Sequence, residues 1–382
     1  MSEERLVPKL RFSGFDDEWN EVKLGDISTF LDNKRIPLKE DDRKQIKGEY
    51  PYYGASGIID YVNDYIFDEE LILMGEDGAN IVTRSSKLIF LAKGKYWVNN
   101  HAHVIKADNN INQYFLSESL ERINYEKYNT GTAQPKLNRE VCQKIKVKIP
   151  QFNEQNKIAN FLLVIDEKLR LLEQKYQYYQ NFKKYLMQQI FTQKLRFDDN
   201  CHYKTKKVKD FLTESKIEGT DDINKRLTVK LNLKGITVRE SKTIEKEGAT
   251  KQFIRKSGQF IYGKQNLHKG AFGIVPKELD GYLSSSDIPS FDFKGEIEPK
   301  WFYYYFSRKS FYESLESLST GTGSKRISPK EFLNIKLIVP ELKEQHRIVC
   351  LFAKVDEEIN GISNQILQMN RFKKSLLQQM FV

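Results

Sequence analysis

Two loops in this chain combine hydroxyls, glycine and a closing cation. They are Thr130-Gly131-Thr132-Ala133-Gln134-Pro135-Lys136 and Thr320-Gly321-Thr322-Gly323-Ser324-Lys325-Arg326. Free backbone N–H groups beside a Lys or Arg suit contact with phosphate. A plain turn between a helix and a strand is the other reading of the same residues. The stretch Asn99-Asn100-His101-Ala102-His103 alternates two imidazoles, which strand geometry would place on one face. With no third ligand nearby, they suit base edges, phosphate or surface packing rather than a metal. Gly258 and Gly263-Lys264 outline a phosphate-binding loop, yet Gln265 stands where Ser or Thr would hold magnesium. Gly321 and Gly323 lack the third glycine of a dinucleotide fingerprint. No Ser-His-Asp order stands out, and Cys142, Cys201 and Cys350 never form a C-x-x-C pair. These residues speak for binding and against catalysis or a metal centre.

The partner follows from charge. The 382 residues carry a formal net charge of +10, with a pI near 9.1, which favours a polyanion. Residues 194–270 supply most of the excess, with 19 Lys and Arg against 10 Asp and Glu. Aromatic content of 12% is too high for a disordered basic tail, and the length suits two to three domains. Three scattered cysteines argue against a disulfide framework. No apolar run approaches a membrane span and the start lacks a signal pattern, so a soluble, cytoplasmic protein is expected.

The elements that must position these loops are duplicated. Thr130 to Phe191 lies on Thr320 to Phe381 at a constant offset of 190 without a gap. Pro150 falls on Pro340, Glu154-Gln155 on Glu344-Gln345, and Asp166-Glu167 on Asp356-Glu357. Earlier in each half, Lys9-Leu10-Arg11-Phe12 recurs as Lys194-Leu195-Arg196-Phe197. After each proline the pattern turns helical. Apolar positions run Ile158, Leu162, Ile165, Leu169, Leu172, Tyr176, Tyr179, Leu186, Ile190 in the first copy. The second runs Ile348, Phe352, Val355, Ile359, Ile362, Ile366, Met369, Leu376, Met380. The average period of about 3.5 predicts a coiled coil, each helix roughly 37 residues and about 55 Å long. Lys183 and Lys373 interrupt both stripes at the same step, as a polar residue that sets register would. Faces bearing Gln155, Lys168, Gln188 and Gln189 are expected to stay free for partners.

Between the repeats lie two dissimilar strand-rich regions. Glu70 to Met74 and Lys87 to Leu91 read as strands flanking a turn at Gly75-Glu76-Asp77-Gly78. Gln259 to Gly263 repeats that rhythm, but the following loop carries Lys264 and Lys269 where the first copy is acidic. Similar scaffolds with different loops suit two readers of different sequences.

With these parts in order, the chain resembles the specificity subunit of type I restriction-modification enzymes. The likeness rests on Pro8 to Phe12, Asp17-Glu18-Trp19, Val22 to Ile27, Pro51 to Gly57 and Asn100 to Val104. The Thr-Gly-Thr loops and the Pro150-Glu154-Gln155-Ile158 pattern complete it, and it covers essentially the whole chain. The second region departs from it, with Leu283-Ser284-Ser285-Ser286-Asp287 in place of the His-Ala-His stretch.

The resemblance implies an α+β protein with a pseudo-two-fold internal repeat. Two mixed α/β target-recognition domains would occupy 1–152 and 193–342. Two long helices, 153–192 and 343–382, would form an antiparallel intramolecular coiled coil. Each domain would bind one half of a bipartite, asymmetric site on double-stranded DNA, the coiled coil setting the gap. Members of the family are non-catalytic and hold no cofactor. They assemble with modification subunits, which use S-adenosylmethionine to methylate adenine, and with restriction subunits, which use ATP and Mg. In the first domain the expected DNA contacts are Tyr53, Ser56, Glu76, Asp77, Asn80, His101, His103, Thr132 and Lys136. In the second they are Arg239, Lys251, Lys264, Gln265, Asn266, His268 and Lys269, with Ser285, Ser286, Lys325 and Arg326. A stand-alone DNA-modifying enzyme is the alternative, but it needs an Asn/Asp-Pro-Pro-aromatic loop that this chain lacks. A repeat-built protein-interaction scaffold is the other alternative.

Overall fold

A computed structural model describes residues 5–131, 133–240, 250–320 and 325–382. The chain divides into two compact units. The first is Met1–Glu173 with Gln365–Val382, and the second is Gln174–Asn364.

The first unit is built on a four-stranded antiparallel sheet in the order Ser28–Phe30, Ala102–Ala107, Leu71–Gly75, Ile89–Ala92. Leu71–Gly75 is buried at every position, which explains its unbroken apolar run. A helix at Gln113–Glu121 packs beside this sheet, and the Asn112 side chain caps it by accepting from the Phe115 N–H at 2.9 Å. A second sheet runs Gly57–Val62, Lys47–Gly54, Lys95–Val98, Phe67–Asp68. Its one parallel step joins Lys47–Gly54 to Lys95–Val98.

The second unit repeats the first sheet in the order Leu212–Ser215, Ser290–Phe293, Phe260–Tyr262, Phe272–Ile274. Its core is aromatic: Phe291 and Phe332 pack on Tyr262, and Phe260 packs on Phe332 and on Phe302 and Phe306 from the helix Pro299–Phe306. A smaller sheet joins Glu218–Gly219, Gln252–Arg255 and Tyr282–Ser285. Each unit also has the same closing pair of antiparallel strands, Asn20–Lys23 with Lys146–Ile149 and Lys204–Lys207 with Lys336–Val339.

The long helices are Phe152–Phe191 and Leu342–Met380, of 40 and 39 residues, close to the length expected from the stripe. In the first unit, Ile158, Leu162, Ile165 and Leu169 share a core with Leu376 and Met380. In the second, Leu186 and Ile190 share one with Ile348, Phe352 and Val355. There Lys183 pairs with Asp356 while Phe191 stacks on Phe352, so the first helix ascends as the second descends. The helices form the expected antiparallel coiled coil, and the lysines that interrupt the stripe are its polar pairs. Lys373 reaches Asp166 at 2.6 Å, and Tyr114 donates to that carboxylate at 2.5 Å. The counterpart is Lys183 with Asp356, which accepts from Tyr304 at 2.7 Å.

The Glu-Gln pairs at the helix starts hold other segments in place. Arg11 donates to both oxygens of Glu154 at 2.8 Å, and Gln155 bridges the Asn112 N–H and the Pro150 carbonyl. Glu344 accepts from the Phe197 N–H at 2.9 Å, and Gln345 joins the Glu298 N–H to the Pro340 carbonyl. The repeated Lys-Leu-Arg-Phe motif therefore docks on the start of a long helix in each unit. This corrects the expectation for Gln155, which is buried in that clamp and not free for a partner, whereas Lys168 and Gln188 are exposed.

Candidate nucleic-acid interface

Each unit holds one residue, just past its central strand, whose backbone ties two loops together. In the first unit this is Glu76. Its N–H donates to the His101 carbonyl at 2.9 Å, and its own carbonyl accepts from Leu137 at 2.8 Å. In the second unit it is Lys264, donating to the Asp287 carbonyl at 2.9 Å and accepting from Ile327 at 2.9 Å. The loop closures match as well: Thr130 N–H donates to Lys136 O at 2.8 Å, and Thr320 N–H to Arg326 O at 2.9 Å. One hydrogen-bond frame is built twice, and the side chains on it differ. Glu76 corresponds to Lys264, and His101 to Asp287.

In the first unit the frame is tightly paired. Arg35 donates to Glu76 at 2.7 Å and to the Ala102 carbonyl at 2.9 Å, and Lys136 lies 3.3 Å from Glu76. His101 bonds Asp77 at 2.6 Å and remains exposed. His103 is buried, its Nδ1 2.7 Å from Asp32 and its Nε2 2.7 Å from the Leu137 carbonyl. A carbonyl can only accept, so Nε2 donates. Burial opposes the charge, but the Asp32 hydrogen bond and nearby Cys142 raise the imidazole to about 10. His103 is thus an imidazolium brace beneath the surface. The expectation of two imidazoles on one strand face is corrected: the strand begins at Ala102, and His101 sits in the preceding turn.

In the second unit the cations face outward. Arg326 is exposed and held by Asp287 at 3.0 Å, and exposed Lys325 lies 3.7 Å from Glu316. Ser286 is exposed, and the Ser285 hydroxyl accepts from the Asp287 N–H at 3.3 Å. Lys264, Ser286 and Lys330 line a cavity of about 490 Å³. It lacks the helix that a nucleotide-binding loop requires, since a 3₁₀ turn at Leu267–Lys269 follows.

The remaining expected contacts are distributed around these clusters. Ser56 is exposed in the turn after Lys47–Gly54, whereas Tyr53 is half-buried against Phe90 and Tyr96, and burial raises its phenol. Asn80 closes its own turn by donating to the Ser86 and Lys87 carbonyls. Lys251 is exposed and paired with Glu218, and exposed Arg239 donates its N–H to the Arg226 carbonyl at 2.7 Å. Gln265 and Lys269 are exposed; Asn266 and His268 are half-buried in the turn that ends at left-handed Gly270, φ 71°. Thr132 lies outside the described residues. Sequence reasoning missed Asp32, Arg35 and Asp287. Only Asp287 left a signal, as the charged end of a serine run.

A family model described as the type I restriction modification DNA specificity domain matches residues 16–178 and again 192–369. The chain is 25% identical over 380 residues to a putative type I restriction enzyme specificity subunit of Haemophilus influenzae, covering 95% of this chain and 94% of that protein. It is 23% identical over 396 residues to the type I restriction enzyme MjaVIII specificity subunit of Methanocaldococcus jannaschii, covering 94% and 91%. The crystal structure of the type I restriction-modification S subunit from M. genitalium shares the fold, with a TM-score of 0.67 at 14% identity over 98% and 99% of the two chains. The chain therefore belongs to the type I restriction modification DNA specificity family and carries its domain twice.

Proposed function

We propose that this chain reads DNA for a type I restriction-modification complex, each unit recognising one half of a bipartite, asymmetric site. The observation that carries this reading is the duplicated frame with different side chains, Glu76 and His101 against Lys264 and Asp287. Identical backbone geometry carrying different exposed side chains, His101 in one unit and Ser286 with Arg326 in the other, presents different hydrogen-bonding patterns to the major groove. Exposed cations such as Lys269, Lys325 and Arg326 suit phosphates, whose neutralisation makes affinity fall with salt. In this reading the chain is not itself a catalyst and holds no cofactor. Modification subunits bind S-adenosylmethionine and methylate adenine, and restriction subunits use ATP and Mg. Among the described residues no helix is long and apolar enough to cross a membrane, and the proposed place of action is the cytoplasm.

The test is to express the chain with its modification partner and map adenine methylation base by base. A bipartite motif is expected. Replacing residues 200–320 with those of a relative should alter one half-sequence alone. Methylation without sequence preference, or methyl transfer by the purified chain alone, would sink the reading.

A further inference from the structure

The second unit buries a guanidinium that forms no ion pair among the described residues, the carboxylate acting on it being that of Glu214 at longer range. Arg255 is 1% exposed, and among the described residues no carboxylate lies within the 4.0 Å of an ion pair. Its partners are neutral: Nε donates to the Ser284 hydroxyl at 2.6 Å and Nη1 to the Ser290 hydroxyl at 2.8 Å. Nη2 reaches the carbonyls of Ser284 and Ser285 at 3.3 and 3.4 Å. The Ser284 hydroxyl then donates to the Ile288 carbonyl at 2.8 Å, closing the loop from its other end. Burial pushes Arg255 down to about 10, against the opposing field of Glu214.

An isolated buried charge is costly, and an apolar side chain of similar volume is often no less stable. Stability is therefore a poor reason for an arginine here, whereas geometry is a good one. A planar fork with five donors fixes several oxygens in one set geometry, which an apolar side chain cannot do and a lysine, with three rotating donors, does not. The oxygens it fixes belong to one loop, Ser284 to Ser290. That loop carries Ser286 to the wall of the cavity shared with Lys264, and Asp287 to Arg326. The first unit holds its corresponding loop the same way, Arg35 bonding the carbonyls of Asn100 and Ala102. There two carboxylates, Asp32 and Glu76, balance the guanidinium.

We propose that Arg255 is the positioning residue of the second unit's reading loop, setting which bases Ser286, Asp287 and Arg326 accept without touching DNA itself. This rests on the DNA-reading function proposed above. Arg255→Lys keeps the charge and removes the fork, so it separates geometry from electrostatics. Wild-type, Arg255→Lys and Ser284→Ala chains, each assembled with the modification partner, are given genomic DNA, and adenine methylation is mapped. Both variants should lose discrimination by roughly tenfold at one or more base pairs of one half-site. The other half-site and the salt slope of binding should not change. A merely structural role would lower methylation at all sites and leave the motif intact, which would overturn the proposal. So would relaxation of both half-sites. Should Arg255→Lys fail to fold by circular dichroism, Ser284→Ala decides, and an unchanged motif there overturns it too. A wild-type complex with no bipartite motif would instead overturn the function itself, and this inference with it.

Discussion

Exchanging Lys373 for methionine should damage the protein far more than the same exchange at Lys183, although the two are equivalent by repeat. Methionine preserves the apolar stem and removes only the charge. The Lys373 side chain is 11% exposed and faces two acids, Asp166 at 2.6 Å and Glu118, itself 9% exposed, at 3.4 Å. Without the ammonium, two carboxylates share one partly buried site with the Tyr114 hydroxyl. Removing one partner of a buried pair costs 3–5 kcal/mol; with Asp166 33% exposed, the lower end applies, about 3 kcal/mol. Lys183 and Asp356 are 24% and 32% exposed, and among the described residues no second carboxylate pairs with Lys183. Water solvates the orphan there, and about 1 kcal/mol is expected. For units of this size the shifts in Tm are about 6–12 °C and about 2–4 °C. Differential scanning calorimetry reads both. Adding Glu118→Gln to Lys373→Met should restore part of the loss. A Lys183→Met shift as large as that of Lys373→Met would refute the reasoning, because burial and the second acid would then not matter.

The His103 brace predicts a pH dependence confined to the first unit. Its folded pKa of about 10 lies above the ordinary 6.5, so its stabilisation is complete below that ordinary value and is lost as pH rises through 10. Wild type should lose roughly 3 kcal/mol more than His103→Gln between pH 7 and 10, measured by urea unfolding; parallel curves would exclude an imidazolium. Lys325→Ala should weaken binding to all DNA sequences about equally and reduce the salt slope by about one unit. A changed motif would instead make Lys325 a base reader. Arg11→Ala orphans buried Glu154 and should cost about 3 kcal/mol by the same calorimetry, while Arg196→Ala, whose guanidinium meets Gln193 and the Tyr203 ring but no carboxylate among the described residues, should cost under about 1 kcal/mol.

The strand rhythm at Leu71 and Phe260 and the helical stripes were legible because burial imposes a period on the sequence itself. Lys183 and Lys373 were legible as interruptions, and their acids lay within the repeat. Gln155 was misread because its polarity suggests exposure, and only the Asn112 N–H and Pro150 carbonyl beside it make burial favourable. His101 and His103 were misread because alternation holds only inside a strand, and the strand edge falls between them.

What the sequence determined by itself was the symmetry. An offset repeat, a heptad stripe and paired lysines specify two equivalent halves, because each is a pattern of local spacing. What only the tertiary structure decided was which charges are spent on the frame and which are left to read. Glu76, conspicuous as an acid, is consumed by Arg35 and Lys136, whereas Asp287 orients an exposed arginine. Those partners are 39 to 60 residues apart in sequence. Ion pairing depends on distance through space, and no spacing rule along the chain encodes it.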